Sequence, residues 1–338
     1  MGAGLAEVVE VAGGVTRILL RSEGGVGPGS VNAYFLRSGS GGGVLVDTGY
    51  NSTSGNLVEA LDALDAEVRD VVLTHAHIDH IGGVEAVRRR FGPRFWMHAR
   101  ESDGLAAVER WVGGPHLAAL RRQSTSLELG EILRILEAYL KSLPKGVGLL
   151  GGTTTHIGGL EVIHAPGHTP GHLCVYSRSS GILVSGDHVL PDTTTNVAYY
   201  PLAGYEPLRE YLSSLVLVEG LRPRLTLPSH GGPITDLSGL VDRLFQHHEN
   251  RLLEVLSNIS AHSSLIEVSS GVSWSKGAFG ELGPIDKWLA LLEALAHIEF
   301  LKGLGIVVEE QPLVYSRRGG EEQQVISDAL RRIRGASA

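Results

Sequence analysis

The chain has 338 residues, of which 43% are hydrophobic and 20% charged, so its composition is that of a globular protein and not of a disordered one. We expect one large domain and one small one, because domains commonly hold roughly 100 to 200 residues. The formal net charge of −8 argues against indiscriminate nucleic-acid binding, and the single cysteine, Cys174, excludes an intramolecular disulfide and a cysteine-based zinc site.

The N-terminal residues 1–7 contain neither a basic stretch nor the apolar stretch of a secretory signal. No apolar run approaches the roughly 18 residues that span a bilayer. We therefore expect a cytoplasmic protein without a membrane partner.

The first 100 residues alternate between short β-rich runs and helical patterns. Strands are predicted over 7–20, 32–37 and 44–47, where apolar and β-branched residues are grouped. A helix follows with Ser54 as its expected N-cap, and the apolar run 68–74 then predicts a buried strand that ends at His75. This alternation favours an α/β layered domain.

Residues 101–145 differ, because their apolar residues recur at helical spacing and predict a helical insertion. Strand patterns return at 160–164, 173–176, 182–185 and 225–227. From about residue 236 helical patterns dominate, and a β-rich ribbon lies at 305–315. We therefore predict a catalytic domain over 1–235 and a small, winged-helix-like C-terminal domain over 236–338.

The most informative stretch holds four metal-capable side chains within six residues, directly after the predicted buried strand: His75, His77, Asp79 and His80. A loop at a strand end can wrap such side chains around a point, and the pair Gly82 and Gly83 lets the next helix begin close by. Imidazole and carboxylate are ordinary ligands of zinc and related divalent ions. Scattered surface histidines are the alternative, and this clustering disfavours it.

Three further metal-capable side chains follow predicted strands and lie beside glycine: His168, Asp187 and His230. Since strand ends converge on one rim of a layered sheet, we expect these three to approach the first cluster.

Together these segments resemble the metallo-β-lactamase superfamily, whose pattern is a His-x-His-x-Asp-His loop, a later His, an Asp and a final His. The resemblance implies an αββα sandwich with a two-metal site. It assigns one metal to His75, His77 and His168, a second to Asp79, His80 and His230, and a bridging role to Asp187. It further implies that Asp47, in an Asp-Thr-Gly turn, orients a ligand histidine, with a simple turn cap as the alternative, and that His172 holds its loop without binding metal.

The chemistry implied by the resemblance is hydrolysis. Two divalent ions, most readily Zn²⁺ with iron or manganese as alternatives, share a hydroxide that attacks an ester, thioester, lactone or phosphodiester. Asp79 is the expected catalytic residue, which passes a proton to the leaving group. The expected partner is a small-molecule substrate, with RNA as an alternative.

Several subfamilies are disfavoured. Zinc β-lactamases with a cysteine ligand carry Cys where this chain has Asp187, and flavodiiron proteins carry Glu where it has His77. Members of the large nuclease branch insert a long domain between the bridging Asp and the last His. The stretch between Asp187 and His230 in this chain is too short to hold such a domain. The chain is most similar to the lactamase-beta-like and glyoxalase II-like group, whose members include an endoribonuclease and thioesterases. Residues 248–251, His-Glu-Asn-Arg, resemble the phrase that opens the C-terminal domain in that group.

Two other interpretations stay open. The winged helix could be the working part of a non-catalytic DNA-binding protein, although helix 284–302 has few basic residues for reading phosphates. The insertion and the C-terminal segment are expected to close over the metals, with assembly of a homodimer as their alternative role.

Overall fold

Two stacked β-sheets form the centre of the molecule. The computed structural model describes residues 6–22, 29–37, 42–112, 114–123 and 129–336, so the ends of both predicted domains and short parts of the insertion lie outside the described residues. The first sheet has seven strands in chain order: β1 (Ala6–Ala12), β2 (Val15–Arg21), β3 (Ser30–Arg37), β4 (Gly43–Val46), β5 (Val68–Val72), β6 (Arg94–His98) and β7 (Gly148–Leu150).

The pairing changes along this sheet. The strands β1 to β4 are antiparallel neighbours, as short connections between successive strands allow. The strands β4 to β7 run parallel, because each is joined to the next by a helical crossover. The carboxyl ends of β5 and β6 therefore lie at the same rim.

The second sheet has five strands in the order β12-β11-β10-β9-β8. They are β8 (Thr154–Ile157), β9 (Leu160–His164), β10 (Leu173–Ser177), β11 (Ile182–Gly186) and β12 (Leu225–Pro228). The pair β11 and β12 is parallel, and the remaining pairs are antiparallel. Parallel pairing brings the ends of β11 and β12 to one edge of the sheet.

Helices cover the outer faces of the two sheets and fill the insertion. They are α1 (Ser54–Ala63), α2 (Ile78–Ile81), α3 (Val84–Phe91), α4 (Ala99–Val112), α5 (Pro115–Gln123), α6 (Leu129–Ser142) and α7 (Pro207–Gly220). The predicted insertion at 101–145 thus corresponds to α4, α5 and α6.

Alternation along the strands explains the layers. In β3, Tyr34 and Leu36 point into the core between the sheets, whereas Ala33 and Phe35 point into the core that α1 and α3 cover. Successive strand residues face opposite sides, and burying each large apolar side chain stabilises the fold by about 1.5–3 kcal/mol. On the other side, α7 packs Leu208, Leu212 and Leu215 against the second sheet. The predicted αββα sandwich is therefore confirmed.

The C-terminal segment consists of helices and a small sheet in the order β13-β15-β14. Its elements are α8 (Leu237–Ser257), β13 (Ser263–Ser264), α9 (Leu265–Ser270), α10 (Pro284–Gly303), β14 (Val307–Gln311), β15 (Val314–Arg317) and α11 (Glu322–Gly335). Its apolar residues share one core cluster with the second sheet, α5 and α6. Apolar residues of α6 are thus buried in part in the same cluster as those of α10. The boundary at 235/236 and the winged-helix interpretation stay predictions.

Among the described residues, no helix is both long and apolar enough to cross a bilayer.

Candidate metal centre

All seven predicted ligands meet at the rim where the strands of the two sheets end. His75 and His77 follow β5, and Asp79 and His80 lie on the short helix α2. The other three follow strands of the second sheet, namely β9, β11 and β12: His168, Asp187 and His230. They form two groups, each with ligand atoms within 4.8 Å of one another: His75, His77, His168 and Asp187 in the first, and Asp79, His80 and His230 in the second.

The first group contains three converging imidazoles besides the Asp187 carboxylate. Nε2 of His75 lies 2.8 Å from Nδ1 of His77, and Nε2 of His168 lies 3.3 Å and 3.1 Å from the same two nitrogens. Three nitrogens that bind one tetrahedral zinc ion at 2.0–2.1 Å are separated by about 3.3 Å. The spacing of this group therefore fits a single divalent ion.

Asp187, a member of the first group, also lies close to the second. Its Oδ2 is 3.8 Å from Nε2 of His168 and 3.6 Å from Nε2 of His80, and its Oδ1 is 3.4 Å from Nε2 of His230. Oδ2 of Asp79 is 3.3 Å from the same nitrogen of His230. The carboxylate of Asp187 is thus placed to contact ligands of both groups.

Hydrogen bonds with residues that are not proposed ligands fix the orientation of four of the imidazoles. Nδ1 of His168 donates to the main-chain oxygen of Asn196 at 2.8 Å, and Nδ1 of His230 donates to that of Ser30 at 2.8 Å, because a carbonyl oxygen can only accept. His80 uses Nδ1 on the Asp47 carboxylate at 2.8 Å. Nδ1 of His75 lies 3.0 Å from the Thr74 hydroxyl, which itself donates to Asp47. In each case Nε2 faces inward, the side from which a metal ion would bind.

Three of the inward-facing atoms are buried without a hydrogen bond among the described residues: Nε2 of His80, Nε2 of His230 and Oδ1 of Asp187. Buried polar atoms are rarely left unpaired, so this arrangement calls for a further bonding partner. The residues present fit divalent ions, which would satisfy all three atoms.

The pKa values of the histidines differ between the groups. Burial lowers the pKa of His77 to about 3, and burial together with neighbouring imidazoles lowers that of His75. These rings are neutral at neutral pH, the form that binds metal. Burial also disfavours charge on His230, but the carboxylates of Asp187 and Asp79 outweigh it and raise its pKa to about 10. The second group thus attracts positive charge.

Asp47 connects residues 75–80, the metal loop, to the sheet that contains β4. It is buried and accepts hydrogen bonds from the Thr74 main-chain nitrogen and hydroxyl at 2.8 Å each, besides that from His80. Its φ of 61° lies in the left-handed region, which Asp tolerates better than most residues. The contact with His80 agrees with the orienting role that the sequence suggested for Asp47.

Glycine permits the close approach of the loop and the helix that follows. A Cβ at Gly83 would lie 2.3 Å from the main-chain oxygen of Thr48, so any side chain there would push α3 away from the Asp47 turn. Thr48 in turn donates from its main-chain nitrogen and its hydroxyl to the His80 carbonyl, at 2.8 Å each. The absence of a side chain at Gly83 therefore lets α3 begin close to the ligand loop, and the Thr48 contacts keep His80 near Asp47.

Glu101 was not singled out from the sequence. It is buried in the first turn of α4, where Oε2 accepts from the Ala76 main-chain nitrogen at 2.8 Å and Oε1 accepts from the Thr169 hydroxyl at 2.5 Å and the Gly171 main-chain nitrogen at 2.7 Å. One carboxylate thus joins the loop of His75 and His77 to the loop of His168. The available signal was its position three residues after His98, which ends a strand.

We expect Glu101→Gln to weaken zinc binding by roughly tenfold, within the range for residues that orient ligands. The amide nitrogen of Gln donates and so cannot accept from one of the two loops. Zinc competition with a chelator would measure this effect. The matched control is Glu109→Gln, an exposed position on the same helix. Equal affinities of the two variants would contradict the role of Glu101.

His172 and His188 lie outside both ligand groups. Nε2 of His172 accepts from the main-chain nitrogen of Asp187 at 3.2 Å, which agrees with the expected loop-holding role. His188 is buried, with its ring 5.2 Å from that of Tyr211. His188 therefore faces the core beneath α7.

The family model of the metallo-β-lactamase superfamily matches residues 26–230, which is more than half of the chain. A probable metallo-hydrolase of Bacillus subtilis, YqjP, is 28% identical over 236 residues, which cover 62% of this chain and 70% of the relative. The atrochrysone carboxyl ACP thioesterase of Aspergillus fumigatus is 25% identical over 274 residues, which cover 80% of this chain and 73% of the relative.

The fold agrees with a solved structure over nearly the whole chain. A β-lactamase domain protein from Burkholderia ambifaria superposes with a TM-score of 0.72 at 28% identity, covering 92% of this chain and 94% of that one. The match of the family model and this agreement in fold confirm the resemblance inferred from the ligand pattern. The chain belongs to the metallo-β-lactamase superfamily, and it is a hydrolase of that fold.

Proposed function

We propose that the chain binds two divalent ions and hydrolyses esters or thioesters of small acyl compounds. The proposed ligands are His75, His77 and His168 for the first ion, Asp79, His80 and His230 for the second, and Asp187 for both. The observation that carries the proposal is the set of four imidazoles whose Nδ1 atoms are held from outside while Nε2 faces inward. Zinc is the expected ion, with iron and manganese as alternatives.

Bound divalent ions would lower the pKa of a water molecule towards neutrality and polarise the oxygen of the bond to be cleaved. Asp79 is the proposed proton carrier. Burial opposes its ionisation, but the neighbouring His80 and His230 keep the pKa of this carboxyl below its ordinary value. It is therefore a carboxylate at neutral pH, able to accept a proton and pass it to the leaving group.

Besides Asp79, Tyr50 is a candidate for contact with substrate. Burial and the carboxylates of Asp79 and Asp187 raise the pKa of its phenol, so the hydroxyl stays protonated. It is buried and makes no hydrogen bond of good geometry within the described part of the chain. The Tyr50 hydroxyl could therefore donate a hydrogen bond to a substrate oxygen.

An apolar groove supports an acyl substrate. It has a volume of about 940 Å³, and its lining includes Tyr50, Ile78, Leu143 and Pro144. Ile78 lies between the ligands His77 and Asp79 and is 39% exposed. The groove is thus lined both by a residue next to two proposed ligands and by residues at the end of the helical insertion. The thioesterase name of the Aspergillus fumigatus relative favours a thioester.

Metal content tests the first part of the proposal. We expect the purified protein to bind close to two equivalents of zinc, because seven ligands exceed what one tetrahedral ion uses. Elemental analysis after loading with excess zinc and gel filtration would measure this ratio. A ratio that never exceeds one, with manganese and iron tested in parallel, would contradict the two-metal centre.

Substrate preference tests the second part. We expect octanoyl-N-acetylcysteamine to be hydrolysed with at least tenfold higher kcat/KM than the acetyl compound, since each buried methylene contributes about 0.8 kcal/mol. Leu143→Asp in the groove should remove this preference, whereas Leu149→Asp, at a position already 56% exposed, should keep it.

A phosphodiesterase, an endoribonuclease or a DNA-binding protein would give a different substrate preference. Faster turnover of bis(p-nitrophenyl) phosphate or RNA than of either thioester would favour a phosphodiesterase or endoribonuclease. Binding of duplex DNA at low salt without hydrolysis of any substrate would favour the non-catalytic interpretation.

A further inference from the structure

Helix α10 of the C-terminal segment contacts the loop between β11 and α7, which follows the proposed ligand Asp187. The side-chain nitrogen of Asn196 donates to Oε2 of Glu293 at 2.8 Å. The main-chain nitrogen of Tyr199 donates to the main-chain oxygen of Leu292 at 3.1 Å. Two adjacent residues of one helix therefore hold this loop in place.

The same loop contacts two of the three ligands that follow strands of the second sheet, His168 and Asp187. The Asn196 main-chain oxygen accepts from Nδ1 of His168 at 2.8 Å, which leaves Nε2 of that ring facing the first ligand group. The hydroxyl of Thr195 donates to the main-chain oxygen of Asp187 at 2.7 Å. A shift of residues 195 and 196 would thus move or release His168 and Asp187 together.

Glu293 is itself fixed by residues of the C-terminal segment. Its side chain is 14% exposed, and Oε1 lies 3.8 Å from Nε of Arg251 on α8. Arg251 stacks over the Trp274 ring at 4.7 Å and donates to the main-chain oxygen of Ser273 at 2.9 Å. Arg251 belongs to the His-Glu-Asn-Arg stretch singled out in the sequence. The carboxylate therefore has little freedom to leave Asn196.

We propose that Glu293 is a positioning residue of the metal centre, which acts through Asn196 to orient His168. The C-terminal segment then helps to hold a ligand of the metal centre in its orientation. The inference rests on the proposed assignment of His168 as a metal ligand. It extends that assignment to a residue 97 positions from Asn196 in the sequence, beyond the part of the chain that the family model matches.

The test measures zinc affinity in the full-length protein by competition with a chelator. We expect Glu293→Ala and Asn196→Ala each to lower the zinc affinity of the first metal position, which contains His168, by about tenfold. The double variant should be no weaker than the single ones, because both substitutions remove the same contact. Glu293→Gln should restore most of the affinity, since its amide oxygen can still accept from Asn196.

Glu299→Ala is the matched control on the same helix. Glu299 has a side chain that is 25% exposed, and it pairs with Lys302 at 2.8 Å rather than with Asn196 or a proposed ligand. We expect its zinc affinity to stay within twofold of the wild type. Thermal unfolding of the metal-free proteins would report any loss of stability separately, and Asn196→Ala tests the contact from the loop side if Glu293→Ala does not fold.

Three outcomes would overturn the inference. If the losses of zinc affinity caused by the two substitutions add in the double variant, Glu293 does not act through Asn196. A lower unfolding temperature with unchanged zinc affinity would leave Glu293 a purely structural role. Wild-type protein that binds no zinc, manganese or iron would contradict the proposed metal centre itself, and with it this inference, whereas the first two outcomes leave that centre standing.

Discussion

Asp187→Asn is expected to lower kcat/KM for an activated ester by about a thousandfold or more, a loss of roughly 4 kcal/mol in transition-state stabilisation. The two carboxylate oxygens of Asp187 lie 3.4 to 3.8 Å from ligand nitrogens of both groups. An amide of the same shape keeps one oxygen but places an NH₂ group where the other ligand atom should be. Steady-state hydrolysis by the zinc-loaded variant would measure the loss.

The control for this result is Asp103→Asn, because Asp103 is exposed on α4. Circular dichroism and thermal unfolding of both variants would verify that they fold. His172→Ala should lose less metal than Asp187→Asn, since His172 belongs to neither ligand group and its Nε2 accepts from the main-chain nitrogen of Asp187. Activity of Asp187→Asn within tenfold of the wild type would contradict the bridging role, and equal metal loss in both variants would mean that His172 is itself a ligand.

The ligand set could be predicted from sequence because its signals are local. Each of the seven side chains follows an apolar strand within eight residues, and glycine or proline lies nearby. Since strand ends converge at one rim, position after a strand was enough to predict proximity. The role of Asp47 could be predicted in the same way, because this residue directly follows β4 and lies in an Asp-Thr-Gly turn.

Glu101 and Glu293 could not be found in this way. Their hydrogen-bond partners are 25 to 97 positions away in sequence, and no repeat or spacing marks such a pair. Each acts as an acceptor for donors on other elements, which only the packed fold brings together. Buried carboxylates are uncommon, but burial itself is a tertiary property that a helical pattern does not disclose.

Some local features were also missed. The strands β7 and β8 have three and four residues, too few for a clear alternation, and they contain or adjoin glycine. Ser54 was expected as the N-cap of α1, whereas the helix begins at Ser54 with Thr53 before it. The Ser54 hydroxyl instead donates to the Asn51 main-chain oxygen at 2.8 Å, which a preceding helical turn makes available.

The structure also changes how a closing role of the insertion and the C-terminal segment can be tested. Deleting either would expose apolar side chains of a core that both share with the second sheet, so loss of folding would hide any effect on substrate. Contacts with the metal loop are better targets for substitution. The Tyr139 hydroxyl of α6 donates to the main-chain oxygen of Ala76 at 2.8 Å, and Glu101 of α4 reaches the same residue.

Asp47→Asn is expected to weaken binding at the second metal position by about 10- to 100-fold while leaving the first position nearly unchanged. Asparagine tolerates the left-handed φ of this turn, and its oxygen can still accept from the Thr74 main-chain nitrogen. Its NH₂ group, however, would face Nδ1 of His80, which now donates to the carboxylate. Two donors cannot pair, so the His80 proton would move to Nε2, the nitrogen that the second ion needs.

A two-site zinc titration with a chelating indicator would measure both affinities, and nitrogen-15 NMR of labelled histidine would report the tautomer of His80. Asp70→Asn is the matched control. Asp70 is also buried, but it accepts from the side chains of Trp96 and Arg94 at 2.8 and 2.9 Å, away from the ligands. That variant can lose stability without losing zinc. If Asp47→Asn keeps both affinities and the proton stays on Nδ1 of His80, the carboxylate stabilises the turn without setting the tautomer, and the metal loop must be oriented by its other contacts.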